Sequence, residues 1–381
     1  MAKGNKIRVA VVFGGRSGEH EVSLASAQSV MGAMDPAKYE IYQVGITKEG
    51  RWITGGEPMK QLTGAEPGAA LPAGEQAAAA PASAGEQVPA VAGGRELVPG
   101  TAGARFPEVD VVFPVLHGTY GEDGTIQGLL EMADLAYVGA GVLGSSLGMD
   151  KIAMKAAFMA QGLPVVPYLA VLRSHWRSRA AEVTAEVEAR FAYPVFIKPA
   201  NLGSSVGVSK AHGREELARG LDLAARFDRR LLVEMAVDAR EIECSVLGND
   251  EPIASVPGEV VPCNEFYDYQ AKYVAPDSEL HIPADLPAET AQRVREMAVA
   301  AFKAIDGAGM ARADFFLLRD SGEVYINELN TIPGFTRISM YPKLWEASGL
   351  PYPALIDRLI ELAIERHEEK RRSETSYGFD H

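Results

Sequence analysis

The stretch from Arg312 to Tyr341, RADFFLLRDSGEVYINELNTIPGFTRISMY, holds the densest chemistry in the chain. Two strand-like runs flank Asp320-Ser321-Gly322, a turn signal of the three-residue hairpin type with Gly at the left-handed position. Closing there predicts that Asp314 sits across from Glu328. Side chains alternate along a strand, so Arg312 shares a face with Asp314, and Asn330 with Glu328. Three oxygen donors and a guanidinium then crowd one patch. Facing carboxylates repel. A hard divalent cation removes that cost, because Mg²⁺ takes oxygen ligands and keeps phosphate oxygens in its shell. The patch reads as a metal clamp on a nucleotide polyphosphate. The plainer alternative, two surface strands with a salt bridge, must explain why Glu328 and Asn330 interrupt an apolar strand on one face.

Other segments carry chemistry of their own. Lys198-Pro199-Ala200-Asn201-Leu202-Gly203-Ser204-Ser205-Val206-Gly207 places a lysine at a strand end before a Gly/Ser loop. Backbone N–H groups and hydroxyls of such a loop can wrap phosphate oxygens, with the lysine as a point charge. It is not a Walker A sequence, and an ordinary hairpin turn is the competing reading. Gly14-Gly15-Arg16-Ser17-Gly18-Glu19-His20 follows a strand. Its glycines permit close approach to a ligand. Glu19 is either a ligand group or a solvated acid ahead of a helix that Ser23 caps. Glu234-Met235-Ala236-Val237, with Glu241 beyond, ends a strand in a linker suited to an adenine edge and ribose hydroxyls, or simply exposes an acid. Glu265–Tyr273 carries Tyr267, Tyr269, Lys272 and Tyr273 without helical or strand period. It is either a loop that closes over a ligand or one packed on its own domain. Gly139-Ala140-Gly141-Val142-Leu143-Gly144 satisfies the dinucleotide fingerprint, but no acid ends a strand about 20 residues later.

These segments need a scaffold. Val9–Phe13, Tyr39–Thr47 and Val109–Val115 read as strands, with a helix from about Ser23 to Met34. Alternating strands and helices indicate a parallel sheet with binding loops at the strand C-terminal ends. Beyond Lys151 the pattern is a helix to about Gln161, a strand Val165–Leu172, a helix Val183–Phe191 and strands Pro194–Pro199 and Leu231–Met235. A strand-rich region follows, with helices at about Ala288–Ile305 and Tyr352–Glu369. Between Gly55 and Ala104 the chain is dominated by Ala, Gly and Pro, and reads as a flexible insertion without core or chemistry.

With 381 residues, 47% hydrophobic and 23% charged, the chain is ordinary globular protein of two or three domains. A net charge of −14 and no basic cluster beyond Lys370-Arg371-Arg372 argue against nucleic acid, so phosphate must be held by individually placed cations. Cys244 and Cys263 imply neither a metal spacing nor a disulfide framework. No apolar run approaches the roughly 20 residues that span a bilayer. A cytoplasmic protein without membrane attachment is expected.

Taken in order, GGRSGEHEVSLASA, LHGTYGEDGTIQG, GSSLGMDK, IKPANLGSSVGVSK, VEMAVDAREIECSVLG, EFYDYQAKY, RADFFL and INELNTIPGFTRISMYP resemble the D-alanine–D-alanine ligases of the ATP-grasp superfamily. The resemblance implies an α/β fold of three parts: an N-terminal parallel-sheet domain (1–144), two ATP-grasp subdomains (145–233 and 234–370), and a tail at 371–381. It implies ATP and two Mg²⁺ ions (or Mn²⁺), two D-alanine molecules as substrates, and a homodimer. Lys151, Lys198, Ser205 and Lys272 would meet phosphates, Glu234, Met235 and Val237 the adenine, and Glu241 the ribose, with Asn327 also at the nucleotide. Asp314 and Glu328 would hold one metal ion, Glu328 and Asn330 the other. Arg312 and the Gly334 N–H would face the oxyanion, Ser339 the second carboxylate and Glu19 the first ammonium, with His117 nearby. Glu19, Ser204 and Tyr273 would form a hydrogen-bonded set linking three domains. A D-lactate-using ligase is the nearest alternative. A dehydrogenase and a non-catalytic nucleotide-binding regulator are more distant ones.

Overall fold

The computed structural model describes residues 6–64, 107–261, 279–336 and 338–374. The first sheet is built from β1 (Ile7–Gly14), β2 (Tyr39–Ile46), β3 (Trp52–Ile53), β4 (Val111–Val115) and β5 (Ala136–Tyr137), in the order β3-β2-β1-β4-β5. β1 runs parallel to β2 and β4, and only β3 is antiparallel. Val9 to Phe13 are fully buried, as the unbroken apolar run requires of a strand covered on both faces. The covering helices include α1 (His20–Ala33), α2 (Pro58–Thr63), α3 (Thr125–Met132) and α4 (Val142–Met149).

Two expectations change here. Helix α1 starts at His20, and Ser23 does not cap it. The Ser23 hydroxyl instead accepts from Gly14 N and donates to Val115 O, tying the ends of β1 and β4 together. The segment expected to contribute no core begins with α2, whose Met59 is 2% exposed in the main apolar cluster. Residues 65–106 of that segment lie outside the described ones.

After α5 (Lys151–Ala160) comes a four-stranded antiparallel sheet of β6 (Tyr168–Leu172), β7 (Val195–Pro199), β8 (Ser209–Ala211) and β9 (Arg230–Met235), ordered β6-β9-β7-β8. The strand expected from Val165 starts only at Tyr168, because Val165 bridges across to Ile326. Helices α6 (Arg173–Ser178), α7 (Ala180–Arg190) and α8 (Arg214–Ala224) accompany this sheet. Val187, Ile197, Leu217 and Val233 share its separate core.

The third sheet is antiparallel: β10 (Ala239–Gly248), β11 (Ile253–Ala254), β12 (Gly258–Val261), β13 (Glu279–His281), β14 (Gly309–Leu318) and β15 (Val324–Asn330). Helix α9 (Ala288–Ala304) and α5 pack on it through Phe302, Val294, Phe158 and Met154. Helices α10 (Met340–Ala347) and α11 (Tyr352–Lys370) close the chain. Leu355, Ile356 and Leu359 of α11 share a core with Val9 of β1 and Phe113 of β4. The end of the chain thus completes the sheet with which it begins. Removing the buried Leu359 side chain should cost about 2–5 kcal/mol. Thermal denaturation of Leu359→Ala, with loss of first-sheet structure, is the measurement.

Candidate active site

The hairpin β14–β15 has the register expected, for a reason the turn alone does not supply. Leu317 pairs with Val324 and Phe315 with Ile326, so an unbroken ladder would set Asp314 against Asn327. A bulge at this point inserts Asn327 and restores the pairing of Asp314 with Glu328. Burial along β15 shows the same slip: Ile326 and Leu329 are buried, while Asn327 and Glu328 are both turned off that face. Such bulges re-aim side chains beside sites. The turn itself spans Arg319–Gly322, one residue longer than expected, with Gly322 at φ +70. The extra turn residue and the bulge compensate.

Across three adjacent strands, Glu243, Asp314 and Glu328 stand abreast. Arg312, on the neighbouring row, is bidentate on Asp314 (2.7 and 2.7 Å) and reaches Glu243 at 3.0 Å. Burial works against the guanidinium charge, and Asp314 and Glu243 more than offset it. Asn330 donates to Asp314 at 3.0 Å. Lys151 lies 3.9 Å from Glu328 and donates to Leu202 O at 2.8 Å. Among the described residues no three Asp, Glu, His or Cys side chains gather around a point for a metal ion. The donor set is two carboxylates and an amide. That suits a Mg²⁺ ion completed by phosphate oxygens and water, with Arg312 already occupying the two oxygens of Asp314.

The second sheet contributes a buried ion triad. Glu234, 2% exposed, takes Lys155 on one carboxylate oxygen and Lys198 on the other, each at 2.7 Å. Burial resists its ionisation, but the two ammonium groups prevail and hold its pKa at about 2. Lys198 also senses Glu328 and Glu241, so the second and third sheets meet across one electrostatic site. Lys155 was missed by the sequence reading. Its only signal there was a helical position one turn beyond Lys151, which reads as an ordinary solvated face. The amides of Met235 and Ala236 donate to Pro167 and Pro194, so those two donors serve the protein itself. The half-buried Glu241 lies on β10 opposite Phe316, and the half-buried Val237 lies in the linker after β9.

The loop after β7 places Ser204 and Ser205 at φ +50 and +56. Left-handed backbone costs a residue with a side chain of order 1–3 kcal/mol and often marks a site. The Ser204 hydroxyl donates to Glu19, itself 8% exposed. A Cβ at Gly118 or Gly203 would come within 2.6 or 2.8 Å of the Glu19 carboxylate, so glycine at both lets the carboxylate lie close against the backbone. Tyr273 and Lys272 lie outside the described residues. His117 is buried between Ile332 O (3.0 Å) and Ser26 Oγ (3.1 Å), and burial lowers its pKa. Glu122, also missed by the sequence reading, accepts from Gly118 N and Ile332 N. Burial and the nearby Glu19 push its pKa up to about 8, while the two amides and Arg312 pull the other way. Glu122 thus lies between Glu19 and the hairpin. Ser339 Oγ lies beside Gly334, where a Cβ would come within 2.9 Å of it, and contacts Thr336 Oγ1 at 2.7 Å.

The glycine-rich Gly139–Gly144 segment has a packing role. A Cβ at Gly144 would lie 2.5 Å from Asp306 O, so glycine is needed where α4 meets the approach to β14. This leaves the dinucleotide reading without a structural basis.

Two antiparallel sheets that meet across lysines and carboxylates, preceded by a parallel α/β unit, define an ATP-grasp protein. Family models described as "D-ala D-ala ligase N-terminus" and "D-ala D-ala ligase C-terminus" match residues 8–140 and 157–361. The chain belongs to the D-alanine–D-alanine ligase family. A protein from Heliobacterium modesticaldum named D-alanine--D-alanine ligase is 53% identical over 97% of this chain and 98% of its own length. One of the same name from Ruminiclostridium cellulolyticum is 52% identical over 98% and 99%. Among solved structures, the D-alanine-D-alanine ligase from Coxiella burnetii is 37% identical with TM-score 0.77, covering 96% of each chain. The VanG D-Ala:D-Ser ligase from Enterococcus faecalis is 35% identical with TM-score 0.77, covering 94% of this chain and all of its own.

Removing the acid of the buried triad leaves two ammonium groups facing each other without compensation. Glu234→Gln should lose about 3–5 kcal/mol of stability at neutral pH. A carboxylate with a depressed folded-state pKa stabilises above its unfolded value, near 4.5, and loses that contribution as pH falls through about 2. The melting-temperature gap between wild type and variant should therefore narrow between those two pH values.

Proposed function

We propose that this chain is an ATP-dependent ligase that joins two D-alanine molecules through a D-alanyl phosphate. The observation that carries this reading is the convergence of Glu19, Lys151, Lys198, Arg312 and Glu328 where the three sheets meet. Relatives about half identical over nearly their full length carry the name D-alanine--D-alanine ligase, which does not favour D-lactate as second substrate. The division at 144/145 and 233/234 belongs to the same reading, supported by the separate core of the second sheet.

The chemistry follows from the charges. A carboxylate is a poor electrophile. Transfer of the γ-phosphoryl group to the first D-alanine releases ADP and forms a mixed anhydride with a good leaving group. The amine of the second D-alanine then attacks the acyl carbon, the C–O bond to phosphate breaks, and the amine loses a proton. Lys151 and Lys198, with Lys272 and the Ser205 loop, would offset phosphate charge during transfer. Asp314, Glu328 and Asn330 would hold Mg²⁺, which spreads that charge further when bound. Glu234 fixes the two lysines beneath the nucleotide, while Met235 and Val237 would line the adenine, Glu241 the ribose, and Asn327 the nucleotide edge of the hairpin. Glu19 would bind the first ammonium, His117 would lie beside it, and Ser204 and Tyr273 would couple Glu19 to a closing loop. Arg312 and the Gly334 N–H would stabilise the oxyanion, and Ser339 would take the second carboxylate.

Phosphate release from ATP should require both D-alanine and a divalent cation, and Glu328→Gln should lower kcat by about 100-fold or more. Equal turnover without D-alanine, or with L-alanine in its place, would overturn the assignment.

A further inference from the structure

Gly334 sits in a short turn after β15, Thr331-Ile332-Pro333-Gly334-Phe335, and the turn is held from both sides by groups remote in sequence. Before the glycine, Ile332 N donates to Glu122 at 3.1 Å, and Ile332 O faces His117 Nδ1 at 3.0 Å. After it, Phe335 N donates to Ser26 Oγ at 3.3 Å. His117 Nε2 meets the same Ser26 hydroxyl at 3.1 Å, closing the circuit. Directions follow from the partners. A carbonyl only accepts, so His117 carries its proton on Nδ1, and Ser26 donates to Nε2 while accepting from Phe335. Burial favours the neutral imidazole, in which the Ser26 hydroxyl is the donor to Nε2.

The consequence concerns the one amide between the two anchors. Pro333 has no N–H, and the amides of Ile332 and Phe335 are taken. Among the described residues the Gly334 N–H has no hydrogen-bond partner. A donor aimed at developing charge works only if it is preorganised, because reorientation during reaction forfeits its advantage. Ser26 lies on α1, and His117 and Glu122 lie between β4 and α3. The parallel-sheet unit therefore grips a turn that belongs to the third sheet.

We infer that Glu122 and Ser26, acting with His117, are positioning residues that aim the Gly334 amide at the reacting carbonyl. This rests on the proposed ligase reading, in which that amide serves the second half-reaction. Loosening the clamp should spare phosphoryl transfer and slow amine attack. The mixed anhydride would then escape and be hydrolysed: water adds at the acyl carbon, the C–O bond breaks, and D-alanine and phosphate are returned.

The test measures dipeptide and phosphate together for Ser26→Ala and Glu122→Gln. Ser26→Ala removes one oxygen, so it reports on the clamp even if Glu122→Gln folds poorly. Each variant should lose about 10-fold or more in kcat for dipeptide, keep its KM for ATP, and release several phosphates per dipeptide where the wild type releases one. A ratio that stays at one in folded Ser26→Ala, whatever its rate, overturns the inference. Failure of the wild type to make any dipeptide would instead overturn the ligase reading.

Discussion

Three carboxylates abreast on neighbouring strands are an unstable arrangement, and the site depends on how that instability is relieved. Glu243, Asp314 and Glu328 come from β10, β14 and β15, and like charges in register destabilise a sheet. Arg312 contacts the first two directly and offsets part of their charge, while Glu328 faces Lys151 at 3.9 Å. Under the ligase reading proposed above, a divalent cation with its phosphates would lie at the Glu328 side, and Arg312, fixed by Asp314 and Glu243, would serve the carbonyl.

The same economy of charge recurs in the second sheet. Glu234 is buried and ionised only because Lys155 and Lys198 share it. The two lysines differ: Glu234 with Glu328 and Glu241 raises the pKa of Lys198, whereas burial outweighs Glu234 at Lys155 and lowers it. The triad thus fixes Lys198 where the second sheet faces the third. Among the described residues the first sheet contributes no such buried lysine pair. It supplies the acid Glu19, and it grips the turn bearing Gly334 through Glu122, His117 and Ser26.

Much of this was legible in the chain. The alternation of strands and helices indicates a parallel sheet with β1 as a buried strand, and the turn residues with the strand period indicate a hairpin with polar groups on one face. The pairing of those two acids was expected from a three-residue turn. It arises instead from a longer turn corrected by a bulge at Asn327, and no local signal distinguishes the two routes to one register. Ser23 looked like a helix cap because caps favour serine before an apolar periodic run. It is a buried strap between two strands, a role set by a partner over ninety residues away.

What the sequence determined by itself was the set of groups and their local spacing: which strand carries the acids, which loop carries the serines, and in what order they come. Period and turn chemistry act over a few residues, so these are readable from a few residues. Only the tertiary structure decided which charges neutralise one another. Lys155 and Glu122 are unremarkable in their own segments and gain meaning from Glu234, Ile332 and Glu19, which reach them through other elements. Electrostatic partnership depends on distance and burial, and the folded chain alone sets both.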